Sequence, residues 1–149
     1  MLDMSYEEKS SWVSTLAVTG VAAWYFTALW PLVAGEDQVP AAALIGPTVV
    51  ATVVLVALQV GGHVLAALLG RAQDADERDR AIALRATSLA DLAMGASVFT
   101  VIGHLLTAEL GLLDLPTTPA FTAYLLMLAL VVSTLVEGLT RIICYRVAA

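Results

Sequence analysis

Four long apolar runs take up most of this chain. They cover about residues 11–33, 41–69, 81–106 and 119–145. A helix needs roughly 20 mainly apolar residues to cross the hydrocarbon core of a bilayer, and every run meets that length. Charged residues make up only 13% of the chain, well below the share in soluble proteins. We therefore predict a single all-α domain, residues 1–149, built as a transmembrane four-helix bundle.

The distribution of basic residues predicts the orientation of these helices. All seven Lys and Arg residues lie near the N-terminus, in or beside the loop 70–80, or near the C-terminus, whereas the other two loops carry only acidic residues. By the positive-inside rule, both termini and the loop 70–80 are expected in the cytoplasm. The first run follows a flank with one Lys against three acids and precedes no convincing cleavage site, so it is expected to be a helix rather than a signal peptide. The expected location is the inner (plasma) membrane, crossed several times.

The loop 70–80 leads into the third run through closely spaced charges. Asp74 or Asp76 is a candidate N-cap, and the acids that follow suit the positive end of a helix dipole. The pattern lacks the Gly and the Glu that a calcium loop requires. Its mixed signs argue against a polybasic lipid patch or a nucleic-acid site. The block is instead a candidate surface for a cytoplasmic partner, through Asp76, Glu77, Arg78, Asp79, Arg80 and Arg85.

Five polar residues interrupt the apolar runs and form a candidate intramembrane cluster. Ionisable side chains inside a span cost on the order of 2.5 to 3.5 kcal/mol, so they usually contact one another rather than lipid. Residues four apart share a helix face, which predicts an ion pair along the fourth run and a polar face on the second. Three runs carry such residues at similar depth. The cluster comprises Gln59 and His63 on the second run, Asp91 on the third, and Glu137 and Arg141 on the fourth.

The cluster supports more than one functional hypothesis. The leading one is proton- or cation-coupled transport or switching, with Asp91 as the titrating group, Arg141 as its charged partner, and His63 and Glu137 as neighbours. A purely structural role, in which the network locks helix packing, is the alternative within the membrane. A membrane interaction or sensor protein that presents the charged loop is the alternative from another class.

A metal- or haem-binding membrane protein is a further alternative, but the spacing of ligands gives it little support. His63, Asp91 and Glu137 are suitable ligand types, yet no characteristic metal-binding spacing joins them, so no metal site is predicted and the cofactor stays unknown. His104 lies at the opposite end of the third run, about 20 Å from His63 in depth, and is expected to be a surface residue. The chain carries no nucleophile motif, phosphate loop or dinucleotide fingerprint, so an enzyme is not indicated.

The expected partners follow from the same features. The bilayer is the first of them. Four short helices enclose little volume, which favours a homodimer. A cytoplasmic protein that contacts the charged loop is the third, and nucleic acid is not expected.

Three stretches of the chain carry a resemblance to a known family. They are residues 5–12, with Ser-Tyr-Glu-Glu-Lys followed by Trp12, residues 76–85, with Asp-Glu-Arg-Asp, and residues 137–146, with Glu and Arg four apart and a final Tyr-Arg. On these residues the chain resembles a family of small bacterial four-helix membrane proteins of unknown function. The resemblance spans nearly the whole chain and implies a fold but no activity. Members usually end in a more basic Tyr-Tyr-Arg-Arg-like segment, where this chain has Cys144-Tyr-Arg-Val.

Overall fold

The protein is all-helical in the part of the chain that its computed structural model describes, residues 6–35, 40–69, 76–112 and 116–147. Four of the helices are long and apolar enough to cross a membrane, as predicted, and no strand occurs in these ranges. A short 3-10 turn, Ala41–Leu44, precedes the second helix. The four long helices are α1 (Tyr6–Val33), α2 (Ile45–Leu69), α3 (Glu77–Glu109) and α4 (Pro119–Val147).

The third helix begins earlier than its apolar pattern indicates. Residues 77–80, which precede the apolar run, form the first turn of α3, where the expected cap and the acids that follow it place them. Asp76 is the N-cap, as predicted: its carboxylate accepts a hydrogen bond from the Asp79 amide at 2.8 Å, and the Asp79 carboxylate accepts one from the Asp76 amide at 3.3 Å. This reciprocal capping box satisfies two amides that a helix start leaves without partners, and so it favours helix over loop. The alternative cap, Asp74, lies outside the described residues.

The long helices follow the spatial order α2, α1, α4, α3. Extensive packing joins α1 to α2, α1 to α4, and α3 to α4, whereas α2 and α3 make no extensive contact within the described residues. Glycines allow the close approaches to α1: a Cβ at Gly62 would collide with Val13, and one at Gly138 would collide with Thr15. The bundle is therefore open between its two outer helices.

The two ends of the bundle differ in chemistry. The end at which α1 and α3 begin and α2 and α4 finish is called here the arginine end, and the opposite end the aromatic end. At the aromatic end, Tyr124 donates a hydrogen bond to the carbonyl of Phe26 at 3.2 Å, and the two rings pack edge to face with centroids 5.0 Å apart. Leu29, 1% exposed, lies in the same apolar core. This core closes the aromatic end, while polar side chains collect toward the arginine end.

Candidate functional site

A polar cavity lies between α1, α2 and α4, on the arginine-end side of the apolar core. Its volume is about 340 Å³. All three helices contribute hydroxyl, amide or charged side chains, which is uncommon inside helices that are otherwise apolar. The cavity is lined by Ser10, Ser11, Ser14 and Thr15 from α1, Gln59 and His63 from α2, and Thr134, Glu137, Gly138 and Arg141 from α4.

The charged pair of this cavity lies on one face of α4. Arg141 Nη2 donates to Glu137 Oε1 at 2.6 Å, so the pair predicted from the four-residue spacing is confirmed. The side chains are 33% exposed for Glu137 and 30% exposed for Arg141, so neither is sealed from its surroundings. A paired carboxylate and guanidinium hold charge in a polar crevice at less cost than either group alone.

The opposite wall of the cavity comes from α2. His63 Nδ1 and the hydroxyl of Ser10 on α1 share a hydrogen bond of 3.1 Å. Gln59 lies one turn away along α2 and lines the same space. Four of the five residues of the predicted cluster are therefore brought to one cavity: Gln59, His63, Glu137 and Arg141.

Asp91 is the member that does not join them. Its side chain is exposed, it does not line the cavity, and it makes no hydrogen bond or ion pair within the described residues. The preceding residue explains its direction: the carbonyl of Ala90 accepts a hydrogen bond from Ser133 of α4 at 2.9 Å, which turns Ala90 toward α4. The next side chain points about 100° around the helix from there. The expected contacts of Asp91 with His63 and the ion pair are absent.

The hydroxyl groups of α1 are cavity residues that the sequence reasoning missed. Thr15 donates to the carbonyl of Ser11 at 2.7 Å, and Ser11 to that of Glu7 at 2.9 Å, so both protons stay within the helix. Their oxygen lone pairs remain able to accept hydrogen bonds from water or a ligand. The available signal was the repetition of hydroxyl residues four apart, Ser10 with Ser14 and Ser11 with Thr15, which places them on neighbouring positions of one face.

Two further links join the helices at the arginine end. Arg146 Nε lies 2.8 Å from Glu8 Oε1, connecting α4 to α1, and Glu8 is buried. The hydroxyl of Tyr145 donates to Asp79 Oδ1 at 3.0 Å, connecting α4 to α3. The sequence did not predict the ion pair of Glu8 with Arg146, because acidic residues are common in the first turn of a helix, where they interact favourably with the helix dipole.

Folding separates the residues of the charged block. Asp79 is half-buried and occupied by the cap and by Tyr145, whereas Glu77, Arg78, Arg80 and Arg85 are exposed. No ion pair joins these exposed side chains to another group in the described residues. Asp79 is therefore withdrawn from the candidate surface, whereas Glu77 and the three arginines remain on it.

His104 is half-exposed at the aromatic end, where a surface residue was expected, and it also makes two contacts there. Its Nε2 atom lies 2.8 Å from the carbonyl oxygen of Pro116, and its ring packs on Phe121 with centroids 5.5 Å apart. The contact joins α3 to the segment that precedes α4. The sequence predicted the end of α3 at which His104 lies, but not its contact with Pro116, which is 12 residues further along the chain.

A metal centre finds no support in the described residues, because no group of three or more His, Cys, Asp or Glu side chains there could hold an ion.

Comparison with known proteins identifies no relative of this chain. No protein-family model matches the chain, and neither a curated protein nor a solved structure is significantly similar to it.

Proposed function

We propose that this chain is a multi-pass protein of the inner (plasma) membrane whose polar cavity binds and releases a proton at Glu137, in proton-coupled transport or switching. One observation carries the proposal. Among the described residues that line the cavity, Glu137 is the one carboxylate; it is paired with Arg141, and its side chain is a third exposed, so it is not sealed inside the protein. Intramembrane carboxylates with cationic neighbours recur in proton pathways.

A proton suits this cavity better than a metal cation. Metal ions such as Ca²⁺ need six or more oxygen ligands, often with several carboxylates. Glu137 is the one carboxylate among the described lining residues, which is too few for such a ligand set. Protonation requires just one oxygen of Glu137, and the surrounding hydroxyls and His63 supply hydrogen-bonding groups along which a proton moves.

The position of Glu137 also connects its protonation to helix packing. A protonated Glu137 loses its charge attraction to Arg141, whose guanidinium must then find other acceptors. The next residue, Gly138, is the point at which α4 packs directly on Thr15 of α1. A change of partner at Glu137 therefore acts one residue from a close contact between α1 and α4.

The test compares two carboxylates in proteoliposomes that contain a pH-sensitive dye. Wild-type protein is expected to dissipate an imposed proton gradient, and Glu137→Gln to reduce this to the level of protein-free vesicles. Asp91→Asn is the matched control, because Asp91 lies on α3 outside the cavity. A wild-type rate equal to that of empty vesicles, together with no infrared band from a titrating Glu137 carboxylic acid, would reject the proposal. Loss of flux in Asp91→Asn alone would return the role to Asp91.

Two further assignments belong to this proposal. The homodimer is supported by Asp91, since an exposed carboxylate in the middle of an apolar helix is costly against lipid and is better covered by a second copy. Membership of the family of small four-helix membrane proteins rests on the three stretches of residues 5–12, 76–85 and 137–146.

An interaction or sensor protein is the second candidate. It is favoured by the exposed side chains of Glu77 and Arg80 at the arginine end, which have no ion-pair partner among the described residues. This candidate predicts that Arg80→Glu removes a co-purifying cytoplasmic protein while proton flux is unchanged.

A further inference from the structure

A second cavity lies apart from the polar cavity, between α3 and α4 at the arginine end. Its volume is about 630 Å³, and its walls are mainly apolar. Ile82 and Leu89 of α3 face Ile143 and Val147 of α4 across it. We call it the arginine groove, because Arg78 and Arg85 are the only charged residues among the described ones that line it.

The two arginines lie on one face of α3 and point the same way. They are seven residues apart, almost two full turns, so their directions around the helix differ by only about 20°. Side chains on a helix lean toward its N-terminus, and the N-terminus of α3 is at the arginine end. Their Cα atoms are about 10 Å apart along the helix axis, and both long side chains line the groove, so both can reach a headgroup placed between them.

No acidic side chain neutralises these arginines in the described part of the chain. The carboxylate of Asp79 is held by the α3 cap and by Tyr145, and the described residues that line the groove include no carboxylate. Arg78 and Arg85 have no ion pair there. An apolar groove with two unpaired guanidinium groups at its polar end complements a molecule with a hydrocarbon tail and an anionic head.

We propose that the arginine groove binds one anionic phospholipid, with its phosphate at Arg78 and Arg85 and an acyl chain along Leu89 and Ile143. Arginine is well suited to phosphate, because its planar fork donates two hydrogen bonds at once. Basic pockets between helices at the cytoplasmic face bind anionic headgroups in the same way. The site rests on the chain lying in a membrane, but not on proton binding at Glu137.

The test uses native mass spectrometry of the full chain released from micelles that contain equal amounts of phosphatidylglycerol and phosphatidylcholine with the same acyl chains. We expect one phosphatidylglycerol to be retained per chain, in preference to phosphatidylcholine. Arg78→Gln and Arg85→Gln are each expected to weaken this preference about fivefold. Arg80→Gln is the matched control: it removes the same charge from the same helix, but Arg80 is outside the groove, about 200° around α3 from Arg78.

A second variant tests the apolar part of the site while keeping both arginines. Ala81→Trp places a large ring at the groove wall and is expected to reduce lipid retention without changing the charge. Equal retention of the two lipids, or an equal loss in Arg80→Gln, would overturn the proposal. So would displacement of the lipid by glycerol phosphate at matched concentration, which would point to a free-anion site, or a second chain found bound in place of the lipid.

Discussion

Two adjacent glycines on α2 have the same chemistry and different surroundings. A side chain at Gly62 would collide with Val13 of α1, whereas nothing lies within 4 Å of the position that a Cβ would take at Gly61. Val13 is β-branched, so in a helix it has one strongly preferred rotamer and cannot swing aside cheaply. The packing of α1 against α2 therefore requires that position 62 carry no side chain.

Gly62→Ala should lower the free energy of unfolding by about 1 to 3 kcal/mol, the usual cost of overpacking. Gly61→Ala should be neutral or raise it by about 0.5 to 1 kcal/mol, since alanine favours helix over glycine. Unfolding titrations in mixed detergent micelles, followed by circular dichroism, measure both. Val13→Ala combined with Gly62→Ala should recover most of the loss. Equal stability of the two single variants would contradict the contact with Val13.

The start of α3 shows how a local pattern fixes the boundary of an element. Asp76 and Asp79 exchange hydrogen bonds with each other's amides, and Asp79 also accepts the hydroxyl proton of Tyr145 at 3.0 Å. The same three residues thus begin one helix and tie it to the end of another. The cap was predictable because its chemistry is local, while the link to Tyr145 joins positions 66 residues apart.

Asp76→Ala should destabilise the first turn of α3 by about 1 kcal/mol, because the Asp79 amide loses its acceptor. Amide hydrogen exchange is expected to speed up at Asp79 while the middle of α3 is unchanged. Asp76→Ser, which keeps a capping oxygen, should retain most of the protection. Unchanged exchange at Asp79 in the alanine variant would show that the cap does not hold this turn.

At the scale of the whole molecule, the bundle is open between α2 and α3, and its two ends differ in the side chains that they carry. The arginine end holds the ion pair of Glu8 with Arg146 and the exposed arginines of α3, while the aromatic end is closed by apolar packing. The bias of short loops in Lys and Arg is the physical basis for the expectation that the arginine end faces the cytoplasm.

Cysteine labelling in intact cells tests that orientation. In a Cys144→Ala background, which removes the only native cysteine, Glu77→Cys at the arginine end should react only with a membrane-permeant maleimide. Pro116→Cys at the aromatic end is exposed and should also react with an impermeant reagent. The reverse pattern would place the arginine end outside, against the positive-inside expectation.

The helices, the cap at Asp76 and the pair of Glu137 with Arg141 all follow from the sequence, because each depends on run length or on residues three or four positions apart. The rotation of each helix about its own axis, and the helices that it packs against, do not follow from such local spacing. They decided that Asp91 lies outside the cavity, that hydroxyls of α1 line it, and that Arg78 and Arg85 line one groove. Contacts such as Val13 with Gly62, or Ser133 with Ala90, set those rotations between residues distant in the chain, so only the tertiary structure could determine them.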